Sequence, residues 1–482
     1  MQMAARISAS PRSILVQAPT PGPSPKAGEG SPNEYIWFPS LILMGEGLGV
    51  GPMRSHSHYS LIQDSPAFFS PRVPGCFCAG LFFWYNTPTM FRFLTAGESH
   101  GPALTTIIEG VPAGLPITAE PLNAQLKRRQ GGYGRGARQK IETDTVEILS
   151  GIRFGRALGS PITLVVRNRD WANWTQKMSI EPLPEGEEET KTITVPRPGH
   201  ADYAGMMKYG HDDLRNILER ASARNTATMV AVGGVARLLL AEFGISVASH
   251  VVNIGGIKVC ADHIDLRQIT ELAEDSPVRV ADKDAEAKII AAIDEAKYRG
   301  DTLGGTFEVV ALGLPVGLGS HVHWDTRIDG KLAQALMSIQ AIKGVEVGIG
   351  FGAADIPGSL VHDALFYDAD EAVKFRRSTN NAGGTEGGMT NGEPLVVRAV
   401  MKPIATLMKQ LPSVNLSTKE GVPAFAERSD VCAVPAAAVV GEAMVAIVLA
   451  QLMCEKFGSD SLGEMQANYA HYQQTVAART AQ

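Results

Sequence analysis

Two histidines lie in glycine-bearing turns of a kind that can present an imidazole to a ligand. His100 sits in TAGESHG (95–101), shortly after a carboxylate, and His200 sits in RPGHAD (197–202), three residues beyond Arg197. An imidazole titrates near neutrality, which suits it to carry a proton. Each histidine alone is weak evidence, because a lone histidine is more often structural. Arginine-rich and glycine-rich segments accompany them. KRRQGGYGRGARQK (127–140) puts six cationic side chains, Arg129 and Arg135 among them, around four glycines. Glycines let main-chain N–H groups approach an anion, and arginine forks bind phosphate or carboxylate through two parallel bonds. LERASARNTA (218–227) gathers Arg220, Ser222 and Arg224 at the start of a predicted helix, where free N–H groups and the helix dipole favour an anion. A solvated basic loop and plain helix capping are the competing readings. Taken together, the two histidines and the arginine loops point to chemistry on a phosphorylated or carboxylated substrate.

Other constellations say less. NNAGGTEGGMTNG (380–392) permits tight backbone approach or flat stacking, but matches neither the dinucleotide fingerprint nor a P-loop. Asp430 in ERSDVC (427–432), beside Arg428, reads first as a salt-bridge or capping residue. HVHWD (321–325) would put His321, His323 and Asp325 on one face of an extended strand. With no further ligand nearby in sequence, it predicts no metal site.

The elements that must hold these residues follow from the pattern. Segment 103–118 reads as a strand closed by a Gly/Pro turn, with a helix over about 119–129. A similar unit recurs at 306–340, and GVPAGLP (110–116) echoes GLPVGLG (313–319), which points to internal duplication. Further helices are predicted at 223–243 with Ser222 as N-cap, at 283–299, and at 435–457, the last apolar nearly all round and therefore buried. The pairing of 148–152 with 162–167 reads as an antiparallel hairpin, favouring α+β layers over a doubly wound sheet. EPLPEGEEET (181–190) reads as an acidic surface loop.

The 482 residues are 44% hydrophobic and 20% charged, ordinary for a globular protein, and the net charge of −6 disfavours nucleic acid as a partner. A noncatalytic RNA-binding reading of 127–140 has only Tyr133 to offer for base stacking. The five cysteines form no CxxC pair, which fits a reducing compartment. No uninterrupted apolar run reaches the roughly 18 residues of a membrane span, so no membrane partner is expected. Residues 1–89 lack helical or strand periodicity and stand apart from a catalytic domain over 90–482. They read as a leader, either upstream sequence from a start codon placed too early or a transit peptide. The first reading is preferred, with Met90 as the true start and a cytoplasmic location; a plastid would follow only from the second.

GESHG, RRQGGYGRGAR, RPGHADY, RASARNTA, QALMSIQAIKGVE, NNAGGTEGG, MKPIATL and ERSD, in this order, resemble chorismate synthase over about residues 90–458. The resemblance implies a β-α-β sandwich, helices enclosed between antiparallel sheets, internally duplicated and assembled as a homotetramer. It implies a 1,4-elimination of phosphate from 5-enolpyruvylshikimate 3-phosphate, giving chorismate for aromatic amino acids and requiring reduced FMN (FMNH2). It also implies roles. His100 matches a general acid near the leaving phosphate, His200 a histidine that protonates the flavin, and Asp430 an aspartate that helps remove the ring proton. Arg129, Arg135 and Arg197 match arginines around substrate or NADP anions. Flavin positions correspond to Arg220, Ala221, Ser222, Gln340, Ala341, Gly387, Lys402, Pro403, Ile404, Ala405, Thr406 and Arg428. Three departures stand out: Ser429 and Val431 flank Asp430 where many members have His and Pro, Gln340 replaces asparagine, and Ala221 replaces serine. The missing dinucleotide fingerprint favours an external flavin reductase, with NADPH only an indirect reductant.

Overall fold

The computed structural model describes residues 91–136, 143–182, 192–259, 265–369, 374–425 and 430–481. The leader 1–89, Arg428 and most of the acidic segment 181–190 lie outside the described residues.

Alternating burial marks the strands of the first sheet. β1 (Arg92–Ala96), β2 (Ala103–Glu109), β3 (Val146–Ile148) and β6 (Ile162–Arg167) stand in the order β1-β2-β6-β3, all antiparallel. Between β3 and β6, β4 (Ile152–Arg153) and β5 (Arg156–Ala157) form a hairpin of their own. The expected pairing of 148–152 with 162–167 therefore holds at Ile148, opposite Leu164, but Ile152 turns away to face Ala157. The second sheet contains β7 (Ser246–Ile254), β8 (Ile257–Lys258), β9 (Gly305–Leu312) and β10 (Ile342–Val347). Two small ribbons follow, β11 (Leu365–Tyr367) with β12 (Phe375–Arg377), and β13 (Thr385–Glu386) with β14 (Met389–Thr390). β15 (Leu395–Met401) then completes an antiparallel sheet of order β10-β15-β9-β7-β8.

The helices are α1 (Ala119–Gln130), α2 (Asp202–Tyr209), α3 (Arg215–Ala221), α4 (Thr226–Ala241) and α5 (Ile269–Glu274), followed by α6 (Lys283–Tyr298), α7 (Ile328–Met337), α8 (Gly358–Val361), α9 (Val434–Phe457) and α10 (Leu462–Ala481). The predicted boundaries hold at α1 and α6, the latter capped by Asp282, whose carboxylate accepts from the N–H groups of Asp284 and Ala285. Ser222 does cap, but it caps a 3-10 turn (Ala223–Asn225) that leads into α4. The helix expected to run through Gln340 stops at Met337, because Ala341 takes a left-handed φ of +69° that helical geometry cannot continue.

Strand order settles the duplication. In chain order the first half runs β1, β2, α1, β3, β6, α4, and the second runs β7, β9, α7, β10, β15, α9. Matching them in turn makes the first sheet, β1-β2-β6-β3, equivalent to β7-β9-β15-β10 of the second. The turn echo belongs to this repeat: Gly110 and Gly313 have φ +75° and +81°, and Gly114 and Gly317 have +89° and +82°. Helices α1, α4, α7 and α9 fill the space between the sheets, α4 against β2 and β6, α9 against β7 and β9. This is the expected sandwich.

α9 is long and apolar enough, by length and composition, to cross a membrane, yet 94% of its apolar window is buried inside the protein. A count of uninterrupted apolar residues misses it because Glu442 interrupts the run. α4 and α9 cross at Gly233, where an added Cβ would stand 2.3 Å from Ala443 Cβ and 2.5 Å from its Cα. Gly233→Ala is expected to destabilise the protein by about 1–3 kcal/mol through overpacking. An unchanged thermal unfolding midpoint would contradict so close a crossing.

Candidate active site

The TAGESHG turn joins β1 to β2, and its shape needs glycine at position 97. Gly97 has φ +106°, and a Cβ there would meet the Ala103 carbonyl oxygen at 2.4 Å. The C-terminal end of α3 grips this turn. Arg220 donates from Nη2 to the Thr95 carbonyl (2.9 Å) and hydroxyl (2.8 Å), and from Nη1 to the Gly97 carbonyl (3.0 Å). Ser222 Oγ donates to Ser99 Oγ at 3.1 Å. His100 is 6% exposed, with Nδ1 lying 2.8 and 2.9 Å from the two carboxylate oxygens of Glu219. Trp174 stacks on the imidazole with ring centroids 3.7 Å apart.

His200 belongs to a second histidine–carboxylate pair. Its Nδ1 lies 2.5 Å from Asp202 Oδ1, and Asp202 Oδ2 accepts from Arg197 Nε (2.9 Å) and main-chain N–H (3.0 Å). Burial pushes the Asp202 carboxyl upward, but hydrogen bonds from His200 and Arg197 outweigh it and hold the group well below the usual carboxylate range. Arg197 is therefore tied to its own loop through this carboxylate, with Nη2 also 3.1 Å from His200 Nδ1.

The basic loop supplies the third part. Arg129 donates to Thr226 Oγ1 (2.8 Å) and the Ala223 carbonyl (3.0 Å), and shares Asp144 with Arg224. Burial brings Arg129 down to about 10 against the pull of Asp144, with Arg135 and Arg224 adding like-charge repulsion; it remains a cation at neutral pH. Arg135 pairs with Asp430 at 2.8 Å, and Asp430 Oδ1 accepts the Gly136 N–H at 2.6 Å. The salt-bridge reading of Asp430 thus holds with Arg135 as its partner.

The remaining candidates divide. Lys402 N–H donates to the Ala341 carbonyl (2.9 Å) and Lys402 Nζ to the Gly199 carbonyl (2.5 Å), which joins QAI, KPIAT and the His200 turn. The Ile404 carbonyl accepts from Thr302 Oγ1, and the neighbouring Leu303 N–H reaches the carbonyl of Val431. Pro403, Ala405 and a buried Thr406 continue that segment. Gly387 adjoins the start of α7, where the carbonyl of the next residue accepts the Ile328 N–H, and Gln340 and Ala341 follow the other end of that helix. Ala221 closes α3 and offers only its backbone. At HVHWD, residues 324–326 form a 3-10 turn rather than a strand, and His323 meets Asp325 at 2.8 Å. Among the described residues no cluster of His, Cys, Asp or Glu is suited to a metal.

Four contributors escape a sequence reading. Asp202 lay inside RPGHAD, where a carboxylate two residues after a histidine is a usable signal. Glu219 lay inside LERAS but meets His100 from 119 positions away, which nothing local announces. Trp174 and Asp144 likewise owe their places to tertiary folding.

The family model for chorismate synthase matches residues 91–454. A chorismate synthase of Geobacter metallireducens is 58% identical over 388 residues, covering 80% of this chain and 98% of the relative. One from Brevibacillus brevis is 57% identical, covering 79% and 98%. A crystal structure of chorismate synthase superposes with a TM-score of 0.65 at 46% identity, covering 81% of this chain and all of the other. Both the paired sheets and the ordered loops therefore have their counterpart in known proteins, and the chain belongs to the chorismate synthase family, carbon–oxygen lyases acting on phosphate in aromatic biosynthesis.

Proposed function

We propose that the protein converts 5-enolpyruvylshikimate 3-phosphate to chorismate and phosphate by 1,4-elimination, dependent on reduced FMN. The observation that carries this reading is the pair of histidine–carboxylate couples, His100–Glu219 and His200–Asp202, set among loops rich in arginine. Loss of phosphate needs a proton donor at the departing oxygen, and loss of the ring proton needs an acceptor. His100 serves the first need. Asp430, held by Arg135 and the Gly136 N–H, takes part in the second, and His200 keeps a proton available beside the cofactor. Arg129 and Arg135 orient the anionic substrate, with Arg197 fixing the His200 turn.

Two buried atoms among the candidates, Gln340 Oε1 and Arg135 Nε, have no hydrogen-bond partner among the described residues. An acceptor and a donor left open in this way fit a ligand bearing both an N–H edge and anionic oxygens, as FMN does. Gln340, Ala341 and Lys402 to Thr406 would hold it, with Ser222 and the backbone of Ala221. The Arg220 guanidinium is committed to Thr95 and Gly97 and would act by bracing the turn. Reduced FMN, when bound, supplies transient electron density that eases phosphate departure.

Reduced flavin comes from an external reductase, with NADPH as indirect donor, since no dinucleotide fingerprint is present. Exposed Phe351, Leu360, Leu365, Phe366 and Tyr367 are apolar surface of the kind that assembly as a homotetramer would cover. Burial pushes the Cys432 and Cys454 thiols up to about 11 and about 12, and free thiols fit a cytoplasmic setting. The test is anaerobic phosphate release from the purified protein. Release is expected with dithionite-reduced FMN and absent with oxidised FMN or with NADPH and FMN alone. Inactivity with reduced FMN would refute the proposal.

A further inference from the structure

Glu219 has no ligand role in the proposal above, yet it is the most heavily engaged partner of His100. It is 1% exposed and accepts from both the ring and the main-chain N–H of His100, the latter at 2.9 Å. Its own carbonyl accepts the Ser99 N–H at 3.0 Å, and Arg215 Nη1 supports Oε1 at 3.2 Å. Trp174 fixes the ring plane and is itself tied to Asp170 through Nε1 at 2.8 Å. An ionised carboxylate can only accept. Nδ1 must therefore carry a proton whenever this contact exists, and Nε2 is left as the nitrogen able to exchange one. No described residue hydrogen-bonds Nε2.

We propose that Glu219 is a positioning residue that locks His100 in the Nδ1–H form, so that Nε2 faces the departing phosphate as the proton-exchanging nitrogen. The proposal rests on the reading of His100 as the general acid. Other charged groups around this pair are Arg215 on α3, and Asp170 and Lys177 beside Trp174. Among the described residues only Glu219 makes a hydrogen bond to the imidazole.

Glu219→Gln keeps the shape and one acceptor but removes the charge, and its amide can donate to a bare Nδ1. Turnover is expected to fall roughly 10²-fold, as for other carboxylates that orient a working imidazole, with KM nearly unchanged. Glu219→Asp should restore part of the turnover, and carries the same readouts if Glu219→Gln does not fold. In ¹⁵N spectra of histidine-labelled protein, the signals lost in His100→Gln should report Nδ1–H in the wild type and a changed tautomer in Glu219→Gln. Unmoved turnover or unmoved ring shifts in Glu219→Gln, with His100→Ala still inactive, would overturn the role of Glu219 alone. Full activity in His100→Ala would overturn the acid role beneath it, and this proposal with it.

Discussion

Glu442→Ala is expected to destabilise the protein by about 3–5 kcal/mol, the range for removing one member of a buried ionic cluster. Glu442 is fully buried in the middle of α9. Arg128 from α1 reaches it at 2.7 and 2.9 Å, Arg237 from α4 at 2.9 Å, Arg279 at 3.2 Å, and Ser249 of β7 at 2.6 Å. One carboxylate thus stitches three elements of the sandwich to α9, and alanine would leave three guanidinium groups facing one another. Burial pushes the Glu442 carboxyl up, but the arginines outweigh it and bring the group from 4.5 down to about 2. Because the folded value is depressed, the contribution is fully present above about pH 4.5 and disappears as pH falls towards 2. Denaturant midpoints measured from pH 6 to pH 3 should show the wild type losing stability that Glu442→Gln, which has no carboxylate there to protonate, does not lose at this site. Parallel curves for the two proteins would remove Glu442 from the set of stabilising charges.

His100→Ala is expected to lower turnover about 10²–10⁴-fold, the scale of general acid–base catalysis. The fold should persist, because Glu219 keeps Arg215 and the main-chain N–H of residue 100 as partners. Substrate binding should persist too, since Arg129 and Arg135 lie outside the deleted contact. Loss should therefore appear in single-turnover phosphate release with little change in KM. His200→Ala is expected to fall on the same scale, with Asp202 retaining Arg197. Near-wild-type turnover in either variant would strip that histidine of its role.

The parts of this architecture legible in the sequence are those with a local physical signature. Asp282 and Gly300 bracket α6, Pro435 opens α9, and Gly110 and Gly313 mark equivalent turns because left-handed backbone selects for glycine. Motif order then locates His100, His200 and Asp430. What local reading could not supply was partnership. Arg128 stands beside Arg129 in KRRQ, yet one reaches Glu442, 314 positions away, and the other Thr226 and Asp144. The small hairpin at 152–157 and the early end of α7 were missed for a different reason. Each turns on a backbone dihedral, at Gly151 and Ala341, that apolar periodicity does not register.

α9 also imposes an order of events on synthesis. Five of the elements that cover it (α1, α4, α7, β7 and β9) precede it in the chain, and α10 follows. This apolar segment therefore leaves the ribosome last among the four enclosed helices, after most of the elements it packs against. Asp430 stands four residues upstream of α9, so the packing of one late helix both fills the core and anchors the chain that carries Asp430.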